Sequence, residues 1–123
     1  MDLNKSFLIG RLTRDAETGY LTNGTCMSKF TIAVNRMKGK DGRETADFFD
    51  VKVFGKQAEV ISKYLGKGKQ VAVDGRLQQE RWEKDGQKFS KVVINAESVQ
   101  LLGGSKTGID QVSAYEDNDN PFN

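Results

Sequence analysis

DFFDVKVFGKQAEVISKYLGKGKQVAVDGRL, residues 47–77, changes its apolar period twice. From Asp47 to Phe54 the period is two. Phe49, Val51 and Val53 fall on one face, and Phe48, Asp50, Lys52 and Phe54 on the other, as in a half-buried strand. From Gly55 to Leu65 the period is helical, with Ala58, Ile61 and Leu65 on one side. Gly66 stands where such a helix ends. The period of two then returns, placing Val71, Val73 and Leu77 in the core of a further strand.

Working outward, Lys5 to Arg14 reads as a strand containing Phe7, Ile9 and Leu12, with Gly10 as a bulge or bend. Asn23-Gly24 is a hairpin turn signal. From Cys26 to Arg36, Phe30, Ile32 and Val34 alternate with Lys29, Thr31 and Asn35. Met37 to Thr45 is a charged, glycine-containing loop. Downstream, Asp85-Gly86 marks a tight turn, and Lys88 to Leu102 forms a last strand with Val92, Ile94 and Ala96 on one face. Proline is absent before Pro121, which suits continuous ladders. Three strands, one helix and two strands predict an all-β fold. Five strands with a helix after the third match a five-stranded OB-fold β-barrel with one α-helix between strands 3 and 4. Another small β-barrel or an α+β sandwich shares that element count.

The chain has 123 residues, enough for one domain and a tail. Residues 1–102 are expected to be the folded domain. From Gly103 the apolar period stops, and residues 103–123 are expected to be a flexible linker and a disordered acidic tail. Residues 1–102 carry 18 Lys and Arg against 13 Asp and Glu, a net +5. Residues 103–123 carry Lys106 against Asp110, Glu116, Asp117 and Asp119, a net −3. A basic body suits a polyanion, and an acidic end suits a different partner.

Several classes of chemistry are excluded by composition. Cys26 is the only cysteine and histidine is absent, so neither a disulfide, a zinc site nor a Ser-His or Cys-His nucleophile pair is available. Gly66-Lys67-Gly68-Lys69 lacks the spacing and context of a phosphate-binding loop. The expectation is a protein that is not an enzyme and needs no cofactor. No apolar run spans a membrane, and the N-terminus lacks a signal-peptide pattern, so a cytoplasmic, nucleoid-associated protein is expected.

The polar face of the third strand carries the functional signal. A face holding Asp50 and Lys52 is solvated, yet Phe48 and Phe54 share it, about 20 Å apart at roughly 3.3 Å per residue. Aromatics on a charged face stack nucleic-acid bases, at about 1–3 kcal/mol per base. The competing reading packs either ring under a loop or the helix. In the fourth strand, Arg76, Gln78, Glu80, Trp82 and Lys84 share one face, which puts the only tryptophan on a polar hairpin. Its competing reading is a ring folded back on its own hairpin. Lys52, Lys56, Lys67, Arg76, Arg81 and Lys84 are the candidate phosphate contacts, and Lys69 accompanies them.

These motifs together resemble the bacterial and phage single-stranded DNA-binding protein family. Asn4 to Arg14 is similar to the family's first strand, and Phe30-Thr31-Ile32-Ala33-Val34-Asn35-Arg36 to its second. Asp47-Phe48-Phe49, Val53-Phe54-Gly55-Lys56-Gln57-Ala58-Glu59, Tyr64-Leu65-Gly66-Lys67-Gly68, Val73-Asp74-Gly75-Arg76-Leu77 and Glu97-Ser98-Val99-Gln100-Leu101-Leu102 follow in order. The resemblance covers residues 1–102. It implies the OB barrel, aromatic stacking on Phe48, Phe54 and Trp82, basic contacts at Lys56, Lys67 and Arg81, and a homotetramer. A further family aromatic aligns here with Met37 or Lys38, so that loop is expected to bind by charge. The family's acidic, Pro-Phe tip binds replication and repair proteins. Here Asp117, Asp119, Pro121 and Phe122 take those positions, with Asn118, Asn120 and the following Asn123 as departures.

The expected function is sequence-independent binding and protection of single-stranded DNA in replication, recombination and repair, with partner recruitment through the tail. An OB-fold protein-assembly module like a primosome component, or an RNA-binding OB module, is the alternative.

Overall fold

The structure, a computed structural model, describes residues 2–103. Six strands occur among the described residues: β1 Ser6–Leu12, β2 Glu17–Tyr20, β3 Cys26–Asn35, β4 Ala46–Phe54, β5 Gln70–Lys84 and β6 Gln87–Leu101. One helix, α1 Lys56–Ile61, runs into a 3-10 turn, Ser62–Tyr64, between β4 and β5.

The sheet order is β1-β5-β6-β4-β3-β2, and a further β1–β3 pairing joins Arg11 to Ala33 and Leu12 to Ile32. That pairing closes five strands on themselves in the OB-fold arrangement. The pair β4–β6 is parallel, and the other pairs are antiparallel. Inside the closure lie Leu12, Phe30, Ile32, Val51, Val53, Val71, Val73, Ile94 and Val99. The helix plugs one end with Ala58 and Ile61, and Leu65 follows them. All three are the residues that the helical period selects.

The sixth strand, β2, is an addition outside the five-stranded closure and was not among the expected strands. All four of its residues are exposed, so it has no apolar alternation to read. Its partner is β3, through pairs from Glu17–Lys29 to Tyr20–Cys26. The Asn23-Gly24 turn joins the two: Gly24 has φ +87°, and Asn23 Oδ1 accepts from the Thr25 amide at 3.0 Å.

Gly10 is likewise not a bulge. It sits in unbroken β1–β5 register opposite Val71, and a Cβ there would stand 2.6 Å from the Ala33 carbonyl oxygen. Its role is the close approach of β1 to β3 at the closure. The register shift lies elsewhere, at Asp74/Gly75 opposite Ser98 and Ala96, leaving Glu97 without a counterpart on β5.

Beyond this shift β5 and β6 outrun the barrel. They continue as a two-stranded arm to the Asp85-Gly86 turn, where both residues have positive φ, 51° and 77°. Two central residues of positive φ match the twist of a tight hairpin. The arm corrects the placement of Leu77 in the core. Leu77 pairs with buried Ile94 and so shares its face, but it is 45 % exposed. Parity sets which way a side chain points, and none of the described residues covers that face once the arm leaves the barrel. Val92 is exposed for the same reason.

Candidate nucleic-acid interface

The ladders fix which outward residues are neighbours. On β4 the outward set is Phe48, Asp50, Lys52 and Phe54, opposite Ala33, Thr31, Lys29 and Met27 of β3. Across the parallel pairing, Asp50 meets Val93 and Lys52 meets Asn95 of β6. These in turn face Gln78 and Arg76 of β5. Period-two alternation adds Glu80, Trp82 and Lys84 to the same face of the arm. One continuous outer surface therefore joins the β4 rings to Trp82.

Phe48 is 64 % exposed and Phe54 37 %. Neither is core, while Val51 and Val53 between them are fully buried. Because β4 and β6 are parallel, Phe48 lies at the arm end of the surface and Phe54 at the end leading into α1. Trp82 is also partly exposed, and it stacks on Phe89, directly opposite on β6, with centroids 5.7 Å apart and planes 19° from parallel. The ring thus does fold onto its own hairpin, with one face, and presents its remainder to solvent. Phe89 carries no functional cue of its own in the sequence. Its signal was the turn: two residues between strands put Lys84 opposite Gln87, and hence Trp82 opposite Phe89.

The basic candidates divide into two groups. Lys56, Lys67, Arg81 and Lys84 are exposed, and among the described residues no carboxylate lies within ion-pair distance of them. Lys56 opens α1 just after Phe54. Lys67 lies in the turn before β5, where its amide donates to Asp15 Oδ1 at 2.8 Å, apart from the β4 rings. Arg81 donates to Gln79 on the arm face opposite Trp82, although it is adjacent in sequence. Lys84 ends β5 on the Trp82 face.

Lys52 and Arg76 are tethered. Lys52 donates to Glu80, with both side chains less than a third exposed. Arg76 Nε lies 3.5 Å from Glu97 Oε2. Glu97 also receives Lys5 Nζ at 2.6 Å, and Lys5 reaches Asp74 at 2.5 Å. The Asp74 hydrogen bond, then that of Glu97, raises the Lys5 ammonium above its ordinary pKa.

The loop between β3 and β4 is clasped at its base. Arg36 Nε and Nη2 donate to Asp47 Oδ2 and Oδ1 at 2.9 and 2.8 Å. This holds the Asp47 carboxyl below, and the Arg36 guanidinium above, their ordinary values. Met37 projects from the loop, 94 % exposed. Asp117, Asp119, Pro121 and Phe122 lie outside the described residues.

Residues 3–102 match the Single-strand binding protein family. A single-stranded DNA-binding protein of Treponema pallidum (strain Nichols) is 54 % identical over 104 residues, covering 83 % of this chain and 59 % of the relative. One of Aquifex aeolicus (strain VF5) is 51 % identical over 107 residues, covering 85 % of this chain and 73 % of the relative. A crystal structure of a deletion mutant of the single-stranded DNA binding protein from Thermus aquaticus superposes with a TM-score of 0.70 at 35 % identity. That match covers 83 % of this chain and 51 % of the Thermus chain. The chain thus spans little more than half the length of the Treponema and Thermus proteins.

Proposed function

Because this chain belongs to the single-strand binding protein family, we propose that it binds and protects single-stranded DNA without regard to sequence, in replication, recombination and repair. The observation that carries the reading is the outer surface of β4. There two phenylalanine rings stay exposed on a charged face while the alternate residues fill the core. Bases stack on Phe48, Phe54 and Trp82, with Phe89 backing the tryptophan. Phosphates meet Lys56, Lys67, Arg76, Arg81 and Lys84, while Lys52, between the β4 rings and bound to Glu80, borders the path. The role is passive: the strand is held and delivered, and no bond is made or broken. Titration with dT and rU oligomers of equal length tests this. Tighter dT binding is expected, whereas stronger rU binding would favour an RNA module.

Residues 1–102 serve as the binding domain and 103–123 as a linker and tail in this reading, and the protein works in the cytoplasm on the nucleoid. Asp117, Asp119, Pro121 and Phe122 recruit replication and repair proteins, an acidic segment with one ring suiting a basic groove with an apolar pocket. Removing 103–123 should leave dT affinity intact and abolish such recruitment. Unchanged recruitment refutes the tail's role.

Self-association into a homotetramer completes the proposal. On β1, Phe7 is 71 % exposed and Ile9 is also exposed. They line a groove of about 520 Å³ with Ala72, Ser98 and Gln100. Among the described residues, Ser6 to Gly10 have ladder partners only on the β5 side. An apolar patch beside a half-paired strand suits a second copy of the chain.

A further inference from the structure

The middle of the outer surface is neutralised from within. Its three lysines each meet a carboxylate: Lys29 lies 3.8 Å from Glu17, Lys52 binds Glu80, and Lys91 lies 3.6 Å from Asp50 and 4.0 Å from Glu80. Asp50 also accepts from Thr31 Oγ1 at 2.7 Å. Val93 stands between Asp50 and Gln78 in the ladders and is nearly fully buried on this charged face. The Lys52–Glu80 pair is correspondingly withdrawn from water, its side chains 23 % and 28 % exposed. The untethered cations Lys56 and Lys84 lie at the two ends of the surface instead.

We propose that Asp50 and Glu80 are built-in competitors of the DNA backbone, holding Lys52 and Lys91 in ion pairs that a phosphate would otherwise take. This rests on single-stranded DNA binding to this surface, and it names a regulation of that site. The argument is one of counterions. A free surface lysine that meets a phosphate releases condensed cations from the DNA, which strengthens binding at low salt. A lysine already bound to a carboxylate gains no net attraction, since the displaced carboxylate is left facing the same phosphate. Lys52 and Lys91 then add little to affinity. The strand lies with its bases over the strip and its phosphates toward the cations at the ends, and binding stays weaker than the number of lysines implies.

The test is the affinity of the full chain for a dT oligomer as a function of salt, in Glu80→Gln and Asp50→Asn. These changes keep shape and hydrogen-bonding capacity while removing the charge. Each freed lysine should steepen the slope of log affinity on log salt by about 0.7 and tighten binding about fivefold at 0.1 M salt. Lys52→Gln should change the wild-type slope little but undo the gain when combined with Glu80→Gln. Both carboxylates reach Lys91 but only Glu80 holds Lys52, and they stand on different strands, so a folding defect in one variant leaves the other to decide. Affinity and slope unchanged or reduced in both variants overturn the inference. So does tighter binding without a steeper slope, because the carboxylates then act by general repulsion and hold no lysine back. Wild-type chain that fails to bind dT at all removes the functional reading beneath it; wild-type binding with no response in the variants removes this inference alone.

Discussion

Trp82 and Phe89 lie directly opposite one another on the β5–β6 arm, stacked 5.7 Å apart between centroids. The pair is held by the two-residue turn at Asp85-Gly86, which fixes the register. Phe89 thereby covers one face of a tryptophan that is otherwise exposed on the arm. As the sole tryptophan, Trp82 should show strong fluorescence quenching on poly-dT binding. Phe89→Ala should weaken binding by loosening the ring, by about 1 kcal/mol, the lower end of the stacking range. Unquenched emission at saturating DNA would remove Trp82 from the interface.

Phe48 and Phe54 separate binding from stability. A ring exposed on one face stands to lose a base when truncated, and a core ring to open a cavity costing about 3–5 kcal/mol. Phe48→Ala should cost about 1–3 kcal/mol of dT affinity with melting almost unchanged. Phe54 is less exposed, so Phe54→Ala should cost similar affinity and a measurable part of the stability. A large melting loss in Phe48→Ala without weaker binding would make that ring structural.

What the sequence discloses depends on which physical cue each element carries. The strand parity of 47–54 placed both phenylalanines outward, because alternation along one strand is local. The helix of 55–65 was visible in Ala58, Ile61 and Leu65 for the same reason. Leu77 and Val92 defeated parity, since coverage depends on how far β5 and β6 outrun the barrel. Strand β2 carries no apolar residue pattern, and only the Asn23-Gly24 turn implied that β3 had an antiparallel neighbour. The tether of Lys52 to Glu80 joins residues 28 apart and follows from three-strand register, which no single stretch encodes.

Salt should divide the basic residues as the structure does. Lys56→Ala and Lys84→Ala remove cations free of ion pairs among the described residues, so each should flatten the salt dependence by about 0.7–1. Lys67, held apart at the turn beside Asp15, tests how far the strand wraps. A flatter slope in Lys67→Ala extends the path around the barrel end, and an unchanged slope confines it to the outer face of β4 and the arm.

The Arg36–Asp47 clasp predicts an acid-sensitive loop. Asp47 is depressed by its hydrogen bonds to Arg36, so the folded state binds its proton less readily than the unfolded chain. The clasp therefore contributes above the ordinary aspartate value of about 4 and is lost as pH falls through the lower folded value. Titration of the Asp47 carboxyl by NMR should give a midpoint below that ordinary value, moving up in Arg36→Ala. Identical midpoints in the two proteins would show that the clasp does not form in solution.

Self-association makes the sharpest demand on β1. Burying an aromatic ring of about 150–250 Å² at about 25 cal/mol per Å² is worth about 4–6 kcal/mol before the costs of association. Phe7 and Ile9 offer that gain when a second chain covers them, since the described residues of their own chain leave them exposed. A charge placed there must be desolvated to keep the contact, which is expensive without a partner. Ile9→Glu should therefore lower the solution mass from four chains to two or one, with the monomer fold intact because the position faces outward. Val60→Glu gives the comparison: it is equally exposed but sits on α1, away from the groove, and should leave the mass unchanged. Loss of mass in both variants would point to general disruption, and in neither would move the interface off β1. The two should also respond differently to salt. An assembly held by Phe7 and Ile9 survives high salt, because apolar burial is not screened, while DNA release from the lysines does not. A tetramer that falls apart in salt would instead assign the contact to charged residues.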